Sequence, residues 1–481
     1  KGGKKGMKKK VISALLCMTM VATMLAGCGG STGSDSSKSD APKKGKAEDF
    51  DWQNYKGTTI NVMFNEHNYS KAVIKKIPEF EKKTGIKVKY SSTPESNYFD
   101  KLNTSLSSHS GDTDVYMTGA YQVWEYAPAG YMEPLDDYIN NPALTDKDYN
   151  YDDFIPGVVG ALKWDLTAGH KVGKGSQWAL PMGWELNNIS YNKKVLKEKG
   201  IAVPKTTDDL LKAAKALKGF NGSGTYGIAV RGTREWATIH PGYMSLFATW
   251  GAQDFAIEDG KLVCKLDSKE AIDMTDYWVK LIKEGGSTQW ANATWYECGK
   301  DLGAKKAAMM FDASSNAYFN NYEGASAESG NIAWSTVPLP KGKTDADAKT
   351  NLWIWSLAMN KDSKNKEAAW YFIQYFTSPD YMLWSGTEGA SPDTPRTSVM
   401  NSDEYKSIVG KADNYLESIA ALEKNASIYF TPQPYFFECT TKWAETLQDL
   451  VTSKKYKSTE QAMKQLKKDL DKIVADIQID E

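Results

Sequence analysis

Cysteine and histidine are scarce in this chain, and their scarcity excludes several chemistries. Only five of 481 residues are cysteine and four are histidine. His67, His109, His170 and His240 include no pair spaced for one helix face, and no Cys-x-x-Cys occurs. Neither a zinc site nor a dithiol redox centre has a ligand set to build on. Cys264, Cys298 and Cys439 allow at most one disulfide, and their spacing selects no pair. There is no nucleophile motif, no glycine-rich phosphate loop and no eightfold repeat, so no cofactor and no metal are expected. An excess of positive charge is also missing: the formal net charge is −1. Removing the first 27 residues, with six lysines and no acid, takes it to −7, which argues against nucleic acid as a partner. No apolar run reaches the roughly 20 residues of a membrane span.

What is present begins with a sorting signal. Six lysines within the first ten residues precede an apolar run at 11–24 and then Leu25-Ala26-Gly27-Cys28. A charged region, a short apolar region and a small-residue cleavage site make residues 1–27 a secretory signal, with Met7 a candidate start. Leu-Ala-Gly-Cys resembles the bacterial lipobox, which implies lipidation of Cys28 and a place on the outer face of the cell membrane, held by that lipid alone. Residues 28–49, dominated by Gly, Ser, Lys, Asp and Ala, are expected to form a flexible tether reaching roughly 25 Å.

The folded part centres on W-A-L-P-M-G-W-E-L-N-N-I-S-Y-N, residues 178–192. Two strand-like runs meet at a bend carrying Trp184, Glu185 and Asn187. An indole face suits the C–H face of a sugar, and the carboxylate and amide suit its hydroxyls. On either side, strand and helix patterns alternate. The runs 58–64, 86–90 and 115–117 read as strands separated by helices at 70–83 and 98–108, an order that implies a largely parallel sheet. Ligands bind beyond the carboxyl ends of such strands. This rule selects Asn65, Glu66, Tyr121 and Gln122, and, after a strand at 226–230, Trp236 and His240. Asp312 ends another short apolar strand. Trp353 and Trp355 alternate to one side of a third, and Arg396, Trp290, Trp295 and Trp443 are weaker candidates. With 16 Trp and 26 Tyr, the chain is rich in amphipathic rings.

The ordered set F-E-K-K-T-G-I-K-V-K (80–89), D-V-Y (114–116), A-G-Y-M-E-P-L-D (129–136), A-L-P-M-G-W-E (179–185), K-A-A-M-M-F-D (306–312), V-P-L-P (337–340) and K-E-A-A-W-Y-F-I (366–373) resembles the family 1 extracellular solute-binding proteins, the sugar receptors of bacterial ABC importers. The resemblance implies a two-lobed α/β fold of the periplasmic-binding-protein kind (type II-like), a hinge of crossing strands and a ligand cleft. It also implies that the liganded, monomeric protein docks on the transmembrane subunits of a permease. It places Glu185 after the first crossing, Asp312 at the end of a second, Trp353 and Trp355 on a third, and Tyr121 and Gln122 among sugar-contacting positions. The lobes are expected at 50–183 with 312–352, and at 186–310 with 355–481.

The abundance of rings leans the ligand toward an oligosaccharide, with a polyol as the alternative. A secreted glycoside hydrolase would need two carboxyl groups flanking the scissile bond, and no second carboxylate pairs with Glu185 in the sequence. A β-sandwich adhesin conflicts with the helical segments. A non-enzymatic, hinge-bending receptor is therefore expected.

Overall fold

Alternate apolar residues Ile60, Val62 and Phe64 bury one face of Thr59–Asn65 (β1). The next helix, Asn68–Thr84 (α1), starts at His67, whose ring accepts the Tyr69 N–H, and stops at Gly85, which takes the left-handed conformation at φ 70°. Val73, Ile77 and Phe80 of α1 are buried beneath the sheet. Lys87–Thr93 (β2), Glu95–Ser107 (α2) and Val115–Thr118 (β3) complete a β-α-β-α-β alternation in which β2 and β3 both pair with β1 in parallel. These coordinates come from a computed structural model, which describes residues 41–479. The expected signal, lipidated Cys28 and most of the tether lie outside the described residues.

Leu180–Glu185 (β4) and Asn187–Asn192 (β5) follow, separated by Leu186 alone. Further strands are Tyr226–Ala229 (β6), Ala307–Ala313 (β7), Ile332–Ser335 (β8) and Trp353–Met359 (β9). Two sheets result, ordered β2-β1-β3-β9-β4 and β8-β5-β7-β6. Each is the core of one lobe, and the chain passes between them at Leu186 and again at Leu352, just before β9. In the second lobe Gly242–Trp250 (α3), Lys269–Gly285 (α4), Trp295–Gly303 (α5) and Ser314–Asn321 (α6) surround the sheet. Lys366–Phe376 (α7) returns to the first lobe, where Phe372 meets Phe80 at 5.4 Å. Phe436–Thr452 (α8) and Thr459–Ile473 (α9) pack on α4.

This topology corrects the expected lobe boundaries. Asp312 does not open a crossing: β7 leads through α6 into β8, and both strands pair with β5, so residues 312–352 belong to the second lobe. Strand β9 pairs with β3 and β4, which puts 353–359 and α7 in the first. A short buried strand ending on a carboxylate has the same pattern whether the chain then crosses or turns back. The tether is also shorter than expected. Asn141 donates from Nδ2 to the Lys43 carbonyl at 2.9 Å and accepts the Gly45 N–H at 3.2 Å. Backbone hydrogen bonds need no apolar side chain, so composition gave no sign of this docking. Cys264, Cys298 and Cys439 are buried and free.

Candidate ligand-binding site

Strand ends of the first sheet and loops of the second face each other around a small chamber of about 20 Å³. The first lobe contributes His67, Glu95, Glu185, Trp353 and Trp355; the second contributes Arg231, Trp236, His240, Trp295, Asn316 and Phe319. Period-two alternation sends Trp353 and Trp355 to one face of β9, with centroids 5.0 Å apart and planes at 84°. Glu185 reaches the same chamber because it is the register partner of Trp353. Trp236 stands 5.3 Å from Trp353 and stacks on His240 at 5.5 Å and 28°. His67 lies 5.1 Å from Trp355 and 5.4 Å from Trp295, so aromatic side chains of both lobes meet across the cleft.

One ion pair organises the charge. Arg231 donates from Nε at 2.8 Å and from Nη2 at 2.7 Å to the two oxygens of Asp312, and both residues are buried. Burial opposes the guanidinium charge, but Asp312, with Glu95 and Glu185 further off, outweighs it and raises the Arg231 pKa. Arg231 Nη1 also lies 3.0 Å from His240 Nε2. A guanidinium only donates, so Nε2 is the acceptor and Nδ1 carries the proton of a neutral imidazole. Burial and the Arg231 charge hold His240 well below its usual range. Its Nδ1 has no partner among the described residues.

Glu185 is 5 % exposed, and His67 Nε2 lies 3.7 Å from its Oε1. Burial pushes its carboxyl up to about 8; Arg231 opposes this, and Asp312, Asp393 and Glu95 add to it. Burial, with Lys71 and Arg231, pushes His67 down to about 3. Glu95, at the N-terminus of α2, is raised by burial against the pull of Arg231 and accepts Asn65 Nδ2 at 3.0 Å. Among the described residues no group of three or more His, Cys, Asp or Glu is arranged to hold a metal ion.

Of the residues selected from sequence, Glu185, Trp236, His240, Trp353 and Trp355 line the chamber. Glu66 lies at its mouth with Phe99, Asp100, Glu235 and Tyr296. Asn65 steadies Glu95, and Asp312 holds Arg231. Tyr121 and Asn187 serve the hinge. Tyr121 donates to the Leu352 carbonyl at 2.7 Å, and Asn187 Nδ2 to that of Asn351 at 2.7 Å. Asn351 Nδ2 then donates to the Tyr121 hydroxyl and the His240 carbonyl. Gln122 is buried behind Trp353 beside Gly119.

Asn65, Asp312, Tyr121, Asn187 and Gln122 thus stand behind the chamber lining, and two further selections are corrected. Trp184 points to the opposite face of β4 from Glu185 and donates its indole N–H to the Thr394 carbonyl at 3.0 Å. Arg396 is buried within the first lobe, 3.6 Å above the Phe154 ring and bonded to the Thr377 carbonyl. The weaker candidates divide: Trp295 lines the chamber, Trp290 supports the Arg231 carbonyl at 3.0 Å and Trp443 bonds Tyr243. The selection passed over His67, Glu95, Arg231, Asn316 and Phe319. The strand-end rule covers the first three, since each follows a strand directly.

Gly119 matters because a Cβ there would stand 2.0 Å from Trp353 Cη2. Gly119→Ala is expected to displace the indole and weaken ligand binding about tenfold or more, at a cost of about 1–3 kcal/mol in stability. A fluorescence titration alongside urea unfolding checks this; unchanged affinity would remove Trp353 from the site.

Residues 65–383 match the family described as bacterial extracellular solute-binding protein. Over 402 residues, 83% of each protein, the chain is 38% identical to the erythritol/L-threitol-binding protein of Mycolicibacterium smegmatis. It is 26% identical over 341 residues to the mannitol-binding protein of Pseudomonas aeruginosa, covering 70% of this chain and 72% of that one. Among solved structures, an ABC transporter solute binding protein from Agrobacterium radiobacter K84 in complex with ribitol aligns with a TM-score of 0.75 at 20% identity, covering 87% and 99% of the two chains. That last likeness carries the fold alone. With a two-lobed α/β architecture, a cleft built from strand ends of both sheets, and a family match over most of its length, the chain belongs to the bacterial extracellular solute-binding proteins.

Proposed function

We propose that this protein is the substrate-binding component of an ABC importer and that it captures a small linear polyol. The observation that carries this reading is the convergence of Trp353, Trp355 and Glu185, which accepts no hydrogen bond from the described residues, on one small chamber between the lobes. At about 20 Å³ the chamber has room for about one water, so the lobes must part to admit a ligand, and a small ligand asks for the least opening. Of the candidate tryptophans, Trp236, Trp295, Trp353 and Trp355 gather around a single chamber instead of spreading along a groove, and Trp184, Trp290 and Trp443 pack elsewhere. Indole faces take the C–H edges of the polyol, Glu185 and Glu95 accept from hydroxyls, and Arg231 and His240 Nδ1–H donate. The names of the relatives, for erythritol, L-threitol and mannitol, support the polyol class.

Capture follows from the division of the site. A ligand touching Glu185 and Trp353 on one lobe and Arg231 and Trp236 on the other binds the closed arrangement better than the open one. It shifts the population toward closure by that differential affinity and no more. The closed body then presents one surface to the permease subunits. It acts as a monomer outside the cytoplasm, tethered by lipid on Cys28, and needs no cofactor.

Intrinsic tryptophan fluorescence tests the reading. Titration with tetritols, pentitols, hexitols and maltose is expected to give a saturable change with an alditol, weakened about tenfold or more by Trp353→Ala. A response confined to maltose would overturn the polyol reading.

A further inference from the structure

The chamber and its mouth hold more carboxyl groups than the chain pairs with cations. Arg231 is the one cation lining the chamber among the described residues, and two of its nitrogens are committed to Asp312. Those charges cancel. Lys71 at the mouth stands 4.0 Å from Glu66. Glu95 and Glu185 inside, and Asp100 and Glu235 at the mouth, are left without a lysine or arginine partner among the described residues. Both chamber histidines lie in surroundings that keep them neutral. Glu185 is the sharpest case, a buried carboxylate that accepts no hydrogen bond from the described residues. Ionised, it would be a costly buried charge without a partner; burial favours its protonated form instead, and a cation filling the chamber can take the place of that proton.

The rest of the lining agrees. Trp236, Trp295, Trp353, Trp355 and Phe319 surround the same space, and the negative faces of such rings attract cations. We propose that this site accepts alditols bearing an ammonium group in preference to neutral ones, and excludes their acid counterparts. The ammonium sits between the Glu185 carboxylate and the indoles of β9, while the hydroxyls take Arg231, Glu95 and His240. This rests on the polyol reading and adds a charge to it. An aldonate or a phosphorylated polyol would bring a negative charge against carboxyl groups that have no cation of their own.

The test is calorimetric titration of the full chain at pH 7 with erythritol, ribitol and mannitol, each beside its 1-amino-1-deoxy and its aldonate derivative. For any skeleton that binds, the amine is expected to bind about tenfold tighter than the neutral alditol, and the aldonate about a hundredfold more weakly. In Glu185→Gln the advantage of the amine is expected to fall to about threefold or less. A neutral alditol that binds more tightly than its amine overturns the proposal and leaves the polyol reading standing. Binding of amines alone supports the proposal and limits the polyol reading to charged members. No binding by any of the nine sinks both.

Discussion

Arg231→Ala is expected to remove measurable polyol binding and to lower the unfolding free energy by about 3–5 kcal/mol, the range for breaking a buried ion pair from one side. The reason is Asp312. Its side chain is fully buried on β7, and in the variant it would keep only the Ala313 N–H at 2.7 Å. The lost partner reaches both carboxylate oxygens across 81 residues of sequence and also fixes His240 through Nε2. The double substitution Arg231→Met with Asp312→Leu removes both charges together. It is expected to regain at least half of the lost stability, because apolar replacement of a buried pair costs little, yet not to restore binding. Urea unfolding and ligand titration on the three proteins separate the two roles. If Arg231→Ala keeps wild-type stability, the pair does not hold the site.

The contrast between Arg231 and Asp312 shows what the sequence made legible. Arg231 follows a strand and Asp312 stands near the end of one, and Asp312 is the easier to select because a carboxylate closing an apolar run is conspicuous. Arg231 opens a polar loop and looks like any solvated cation until β6 and β7 are seen side by side in parallel register. The central bend was legible in its strands and in its role as a crossing. Its outward face was not. Strand β4 is buried on both faces, so its pattern carries no alternation to say whether Trp184 or Glu185 points to the ligand. Pairing of Glu185 with Trp353, 168 residues away, decides it. The same blindness to long-range pairing misplaced the second lobe boundary. By contrast Trp353 and Trp355, two apart on one strand, had to share a face, and the structure turns that face to the chamber.

Affinity for a neutral polyol is expected to be flat from about pH 4.5 to 6.5 and then to fall by about fifteenfold up to pH 8. Water in an open cleft leaves Glu185 and His67 near their ordinary values of 4.5 and 6.5. Closure moves them in opposite directions, to about 8 and to about 3. A raised carboxyl binds a proton on closing, so its contribution is complete at low pH and is lost as pH rises toward 8. A lowered imidazole releases one on closing, which penalises closure only below 6.5. Between the two ordinary values the proton passes from His67 to Glu185, 3.7 Å away, and nothing is exchanged with solvent. Above 6.5 His67 is already neutral and closure must take its proton from water, so affinity drops toward tenfold per unit. Glu185→Gln, neutral throughout, is expected to abolish this alkaline fall; a fall that survives the substitution would assign it elsewhere. An amino-alditol should abolish it too, in the unsubstituted protein, because its ammonium supplies inside the chamber the positive charge that a neutral polyol leaves to a proton.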